Sequence, residues 1–107
     1  MKILNFLNFK GGWLVGDFEP SLFKRKNIEV GVHHIKKGYI SDGHFHLSSN
    51  EYNLLIKGSV INTITKQIYQ EGEIIVFEPE DRSNLEFLKD TSILVIRDSS
   101  DPNDKYF

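Results

Sequence analysis

The sequence predicts an all-β domain, and three observations support that prediction. Isoleucine occurs 12 times, phenylalanine 8 times and valine 6 times, and such side chains suit the pleated, half-buried surface of a sheet. Alanine, the strongest helix former, does not occur at all. About eight or nine short apolar segments follow one another with closely spaced turn residues and no convincing helical period, a pattern typical of a β-sandwich or closed barrel.

The predicted strands follow from the turn residues between them. Residues 1–17 alternate imperfectly around a glycine pair, and residues 18–27 contain a proline loop and a short basic bend. The remaining strands are predicted over residues 28–36, 51–57, 60–64, 67–70 and 74–77, around residues 85–87, and over residues 92–97. In the first of these, Ile28, Val30 and Val32 share one face, because side chains alternate along a strand.

Composition limits the classes of partner. A chain of 107 residues and 12.4 kDa forms one domain, and 13 basic against 15 acidic residues provide no electrostatic reason to expect nucleic acid. The absence of cysteine excludes disulfides, thiolate metal sites and cysteine nucleophiles. No apolar run approaches the ~20 residues that cross a bilayer, and no signal peptide is recognised. We therefore expect a cytoplasmic protein that binds neither nucleic acid nor membranes.

The most informative segment spans residues 38–58. Side chains two apart on a strand share a face, so His44 and His46 are neighbours if the chain between them is extended. The polar turn at residues 48–50 reverses the chain, and Glu51 at the start of the next strand can lie opposite the pair. Two imidazoles and one carboxylate form a three-ligand facial site suited to Fe(II), Mn(II), Ni(II) or Zn(II).

The same spacing resembles a motif of a known family. The segment matches the first motif of the cupin family throughout: Gly38-x5-His44-x-His46-x4-Glu51-x6-Gly58. The likeness covers roughly residues 28–97. It implies a single cupin domain over residues 1–107, with residues 1–27 as an N-terminal strand segment, folded as a double-stranded β-helix or jelly-roll barrel. In that fold the two histidines and the glutamate map onto three of the usual four metal ligands.

The family's second motif is only partly present. Gly72, the apolar residues 74–77 and Pro79 follow the pattern, but Asp81 and Asn84 stand where the family commonly has glycine and histidine. An amide oxygen is a weaker and harder ligand than an imidazole. Three alternatives follow for Asn84: it is the fourth ligand, it orients a metal-bound water from the second coordination shell, or it marks a site that has lost its metal.

Four further residues are candidates for lining the pocket. Counting by twos puts Asn53 on the side of Glu51, and puts Glu86 on the side of Asn84, where its carboxylate would serve as a base or an additional ligand. Tyr39 lies near the first motif, with no orientation set by the sequence. His34 is the fourth, because at most one of two adjacent histidines on a strand points inward. Ordinary barrel packing is the alternative for each.

Two functions remain open from the sequence. The first is a small cupin metalloprotein whose divalent ion acts on a small polar substrate by oxygenation, isomerisation or a lyase step. The second is a metal-free module that binds a small metabolite, sugar or nucleotide in the same cavity. We also expect a homodimer, because residues 3–15 are apolar, open sheet edges pair with other chains, and the resemblance implies frequent two-fold pairing.

Overall fold

The computed structural model describes residues 1–107 and contains nine strands, which confirms the all-β prediction. The strands are β1 Trp13–Gly16, β2 Phe23–Lys24, β3 Glu29–Ile35, β4 Glu51–Lys57, β5 Ser59–Asn62, β6 Ile68–Gln70, β7 Ile74–Phe77, β8 Leu85–Phe87 and β9 Thr91–Arg97. Two 3-10 turns, Phe6–Asn8 and Lys10–Gly12, are the only helical elements. None of the helical turns has the length and apolarity that crossing a membrane requires.

The strands form two sheets that enclose one core. The larger sheet has the order β2-β1-β3-β9-β4-β7, the smaller has the order β6-β5-β8, and every pairing except that of β1 with β2 is antiparallel. Apolar side chains of both sheets meet in a single cluster: Leu55, Val60, Ile75, Phe77, Leu85, Phe87, Ile93 and Val95. The interior therefore lies between the sheets, as a jelly-roll barrel requires.

The register across β3, β9 and β4 arranges the inner side chains in rows. Arg97 is paired with Glu29 on one side and with Glu51 on the other, so one row is charged. The next two inward-facing rows contain no carboxylate, lysine or arginine and consist of Gly31, Val95 and Asn53, and of His33, Ile93 and Leu55. The inner face of these three strands therefore has its acidic and guanidinium side chains at one end, where the candidate site lies.

The residues of β3 that face the interior are the odd-numbered ones, Glu29 to Ile35, and not the predicted apolar set. Ile28, Val30 and Val32 share a face as predicted, but that face points away from the interior and is half-buried. Gly31 lies on the inner face, where a Cβ would stand 2.7 Å from the ring of Trp13. The large indole fills the volume that an inward side chain would take, so the alternation of apolar residues does not identify the inner face here.

The N-terminal segment is less regular than predicted. Of residues 1–27, only β1 and β2 are strands, because the glycine pair turns the chain with positive φ angles of 60° and 79°. A Cβ on Gly12 would lie 2.0 Å from the Val32 carbonyl oxygen, so only glycine fits against β3 here. Several apolar side chains of this segment are exposed: Met1, Ile3, Leu4 and Leu7. Their pairing with a second subunit stays a prediction.

Candidate metal centre

The interior holds a cavity of about 430 Å³, within the range typical of small-molecule sites. We call it the barrel cavity. Its lining combines the polar groups around His44, His46 and Glu51 with apolar side chains of the core. In each of these three residues one potential ligand atom lies within 4.8 Å of those of the other two. The structure thus brings together the three side chains that the sequence predicts as a ligand set.

His46 is held in one tautomer by the C-terminal part of the chain. The residue is buried, and its Nδ1–H donates a hydrogen bond to the backbone carbonyl of Asp104. Because a carbonyl oxygen only accepts, the proton lies on Nδ1 and Nε2 of the neutral ring keeps a free lone pair. This Nε2 is shielded from solvent and has no hydrogen-bond partner, although Oε1 of Glu51 lies 3.3 Å away.

His44 is oriented in the same way by a carboxylate. Its Nδ1 lies 2.7 Å from Oδ1 of Asp42, and that hydrogen bond holds the pKa of Asp42 below its ordinary value. Lys105 Nζ lies 3.6 Å from the other oxygen of Asp42. A carboxylate that accepts from Nδ1 leaves Nε2 of the imidazole as the free ligand atom, an arrangement common around protein-bound metals.

Glu51 begins β4, as predicted, and lies at the charged end of the barrel cavity. Its side chain is 12% exposed, and Nδ2 of Asn53 donates a hydrogen bond of 3.0 Å to Oε2. Burial alone would raise the pKa of Glu51, but the neighbouring His46 and the Asn53 hydrogen bond outweigh it, so the pKa lies below its ordinary value. The carboxylate is therefore ionised near neutral pH.

The C-terminal tail forms one wall of the site. Tyr106 exchanges two backbone hydrogen bonds of 2.9 Å with Phe45, between the two histidines, and the two rings stack with centroids 5.6 Å apart. The buried carboxylate of Asp104 accepts from the amide of Leu47 at 2.8 Å and from the hydroxyl of Ser49 at 3.0 Å. These residues cannot be predicted from the sequence, because no local pattern shows which part of the barrel a polar tail contacts.

Arg97 is a further residue of the site that the sequence motifs do not predict. Its buried guanidinium lies 3.2 Å from Oε1 of Glu29 and 3.6 Å from Oδ2 of Asp104. Ser49 Oγ accepts a further hydrogen bond from Nη2 at 3.3 Å. The sequence does contain a signal for this ion pair: Glu29 begins β3 and Arg97 ends β9. Because buried charges occur almost only in pairs, two opposite charges at the ends of apolar strands indicate that they contact each other.

Asn53 and Tyr39 line the barrel cavity, as predicted. Asn53 is buried beside Glu51, whereas Tyr39 is 55% exposed and packs its ring against Phe87 with centroids 6.0 Å apart. Tyr39 therefore lies at the rim of the cavity and Asn53 inside it.

The histidine pair on β3 has the opposite orientation to the one predicted. His33 lines the barrel cavity, with its ring at 4.9 Å and nearly perpendicular to that of Trp13. His34 lies outside: its Nδ1 is 2.8 Å from the hydroxyl of Ser92, and its ring packs against Phe6. The structure agrees with the prediction that at most one of the two points inward, but that residue is His33 and not the predicted His34.

Asn84 and Glu86 do not reach the barrel cavity. Ser83 and Leu85 line it instead, and Oδ1 of Asn84 lies 2.7 Å from where a Cβ on Gly43 would stand. Glu86 is the register partner of Ile61 and does not line the cavity, whereas its neighbours in β8, Leu85 and Phe87, do. Side chains alternate regularly here, but Ser83, Leu85 and Phe87 are the ones that line the cavity, the opposite phase to the one expected from Asn84. The structure therefore shows three converging ligand candidates, and Asn84 and Glu86 are not among them.

Comparisons with known proteins show what the fold is. No protein-family model and no curated protein matches the sequence, but solved structures do. A conserved protein with a double-stranded β-helix domain from Klebsiella pneumoniae superposes with a TM-score of 0.65 at 13% identity, covering 75% of this chain and 74% of that one. An oxalate decarboxylase from Bacillus subtilis superposes with a TM-score of 0.60 at 20% identity, covering 76% of this chain and 24% of that one.

A third structure is described as a sugar phosphate isomerase of the cupin superfamily from Silicibacter pomeroyi. Its TM-score is 0.57 at 17% identity, and the match covers 71% of this chain and 52% of that one. The chain therefore spans about a quarter of the decarboxylase and half of the isomerase. At such identities the likeness concerns the fold and not the activity.

Proposed function

Because this chain is a domain with the cupin fold, we propose that it is a small metalloprotein that binds a divalent ion in the barrel cavity. His44, His46 and Glu51 would hold the ion. Two imidazole nitrogens and one carboxylate oxygen suit Fe(II), Mn(II), Ni(II) and Zn(II), and three protein ligands leave positions open for a small molecule.

One observation carries this proposal. The Asp104 carbonyl keeps a proton on Nδ1 of His46, so in the neutral ring the lone pair lies on Nε2, 3.3 Å from a carboxylate oxygen of Glu51. Nε2 is buried and has no hydrogen-bond partner. Two buried lone pairs at this distance repel each other unless a cation lies between them. A metal ion shared with His44 would satisfy both atoms.

The chain's own residues prepare this site. Asp42 and the Asp104 carbonyl fix the orientation of the two histidines, and Asn53 fixes that of Glu51. Such outer hydrogen bonds keep the ligand atoms free and correctly aimed. A bound divalent ion would supply Lewis-acid polarisation of an oxygen of the substrate. The names of two structural neighbours refer to small anions, oxalate and a sugar phosphate, which supports a small-molecule ligand for the cavity.

A metal-free binding module is the second candidate, and one observation favours it. The Glu51 carboxylate raises the pKa of His46. A proton on Nε2 of His46 would therefore also satisfy the two facing atoms, and the barrel cavity would still hold a small molecule. The two candidates differ in whether a metal ion or a proton is bound between His46 and Glu51.

Elemental analysis separates the two candidates. Protein purified without a histidine tag is reconstituted with Fe(II), Mn(II), Ni(II) or Zn(II) in turn, dialysed and analysed for metal. We expect about one equivalent of at least one metal, a sharp loss in His44→Ala, and no loss in the matched variant His34→Ala, whose ring lies outside the cavity. Less than about a tenth of an equivalent of every metal would refute the metalloprotein proposal.

A further inference from the structure

The outward side of the larger sheet carries an apolar surface that no sequence motif marks. Side chains alternate along a strand, so the residues of β3, β9, β4 and β7 that do not face the interior point outward. The strand register aligns eight of them in two rows, each four strands wide: Val30, Ile96, Tyr52 and Val76, and Val32, Leu94, Leu54 and Ile74. We call these two rows the outer apolar face.

The outer apolar face is accessible to solvent. On the edge strand β7, Ile74 is 60% and Val76 47% exposed, and the other six side chains are half-buried. None of the eight is charged; seven are aliphatic and one is a tyrosine. The solvent side of an antiparallel sheet normally carries polar residues, and a contiguous exposed apolar surface marks an interaction site.

The two ends of the outer apolar face carry opposite charges. At one end the next residues in the outward phase are Asp98, directly after β9, and Glu78, directly after β7, and both are exposed. At the other end the exposed residues Lys57 and His34 are both register partners of Ser92. Six residues of β9 separate the two ends, which corresponds to about 20 Å. The surface is therefore acidic at one end, apolar in the middle and basic at the other.

A second copy of this chain complements this pattern. If a two-fold axis lies between two such faces and runs across the strands, the order of the rows is reversed in the second copy. The apolar rows then pack on each other like stacked sheets, and the basic end of each copy meets the acidic end of the other. A two-fold axis parallel to the strands would instead bring Asp98 and Glu78 of both copies together. Charge complementarity therefore selects the first arrangement.

The extent of the surface also fits a dimer. Four strands about 4.8 Å apart, with about 20 Å between the charged ends, give a flat footprint of about 400 Å² per copy. A stable interface removes about 800 Å² of accessible surface from each partner. Further apolar surface adjoins the basic end, where Phe6 packs against His34 and the nearby side chains of Leu4 and Leu7 are exposed.

We propose that the outer apolar face is the interface of a two-fold homodimer. Because β4 lies between β9 and β7 in the sheet, Lys57 of each copy lies opposite Asp98 and Glu78 of the other. This interface differs from the one predicted at residues 3–15, which adjoins it and does not form its centre. The proposal is independent of the metal site, because the side chains of the outer apolar face point away from the barrel cavity.

Sedimentation equilibrium of the full chain over about 1–200 µM tests the interface, because the population of a dimer depends on concentration. We expect the wild type to dimerise, and we expect Ile74→Lys to raise the dissociation constant about tenfold or more, since each dimer would bury two unpaired ammonium groups. The matched control is Ile68→Lys, because Ile68 is 49% exposed on β6 in the other sheet. A wild type that stays monomeric, or an Ile74→Lys variant that dimerises as tightly as the control, would overturn the proposal.

Zero-length carbodiimide coupling tests the orientation in the wild type, so the result does not depend on whether a variant folds. Within one chain, Lys57 lies about 20 Å along the strands from Asp98 and Glu78, too far for a direct amide bond. A peptide that links Lys57 to either acid can therefore form only between copies, and we expect mass spectrometry to find it in the cross-linked dimer. A cross-linked dimer without either linkage would overturn the proposed pairing.

Reversal of the charges provides a second measure of the orientation. Lys57→Glu and Glu78→Lys should each weaken the dimer, because each places like charges opposite each other. The double variant should restore the affinity, since the pair is then complementary again. A double variant that dimerises no more tightly than either single variant would contradict the arrangement.

Discussion

Asp104 holds His46 in place from 58 positions further along the chain: its backbone carbonyl accepts the Nδ1 hydrogen of the imidazole. Its carboxylate binds the turn between His46 and Glu51, through the amide of Leu47 and the hydroxyl of Ser49. One tail residue therefore sets both the tautomer of a candidate ligand and the turn that brings the next ligand opposite it.

The first prediction concerns the carboxylate of Asp104. Asp104→Ala removes the acceptor for the turn and leaves Arg97 with one carboxylate fewer. Because the lost groups are buried, we expect a loss of about 2–4 kcal/mol in the free energy of unfolding, measured by urea titration. Glu71→Ala, at an exposed turn residue, is the control and should change stability by less than about 0.5 kcal/mol. A loss in Asp104→Ala as small as that of the control would contradict this role.

The second prediction concerns the support of Glu51 by Asn53. Asn53→Ala removes the hydrogen bond of 3.0 Å to Oε2 but leaves all three candidate ligands in place. We expect the metal stoichiometry to be retained and the affinity to fall by a factor of about 10–100, measured by competition with a chelator.

Asn27→Ala is the control for that experiment, because Asn27 is exposed, lies in a bend and does not line the cavity. Its affinity should equal that of the wild type. If Asn53→Ala also bound metal as tightly as the wild type, Asn53 would have no positioning role.

The third prediction concerns the pH dependence of stability. Burial lowers the pKa of His33 from its ordinary value of 6.5, with Glu51 partly opposing that change. Well above pH 6.5 the ring is neutral in both the folded and unfolded states and contributes no pH dependence. As the pH falls below that value, the unfolded chain takes up a proton that the folded chain does not, so stability decreases until the lowered folded pKa is reached.

Urea titrations between pH 7.5 and about pH 5 measure this effect. The stability of His33→Phe should fall less steeply with decreasing pH than that of the wild type or of His34→Phe. Parallel curves for all three proteins would show that His33 is protonated equally well in the folded and unfolded states.

The fourth prediction compares the two outer glycines of the first motif. Both have positive φ angles, 94° at Gly38 and 104° at Gly58. A Cβ on Gly38 would meet nothing within 4 Å, whereas one on Gly58 would lie 2.3 Å from Oγ1 of Thr91 and 2.7 Å from its Cα. Each alanine variant carries the strain of the left-handed region, about 1–2 kcal/mol. Gly58→Ala should lose a further 1–3 kcal/mol or so through the backbone clash.

Thermal or urea unfolding of the two variants checks this difference. Equal losses would show that β9 shifts to accommodate the new methyl group. The comparison also tests why the motif needs glycine at each end, which is conformation alone at Gly38 and conformation plus close packing at Gly58.

Local sequence patterns are sufficient to predict the strand content and the convergence of the three candidate ligands. His44, His46 and Glu51 lie within eight residues of one another on either side of a single turn, so alternation and one chain reversal suffice to bring them together. Similarly local patterns predict most strand positions, because each segment's composition and its flanking turn residues act over only a few residues.

Which other side chains line the cavity or contact the three candidate ligands depends on the tertiary structure. The choice of His33 over His34, and of Ser83 over Asn84, depends on the phase of a strand, and a shift of one residue reverses every side chain. The contact of Asp104 with His46 depends on where the tail crosses the barrel. Such long-range contacts arise from the packing of the whole chain, and no nearby residues encode them.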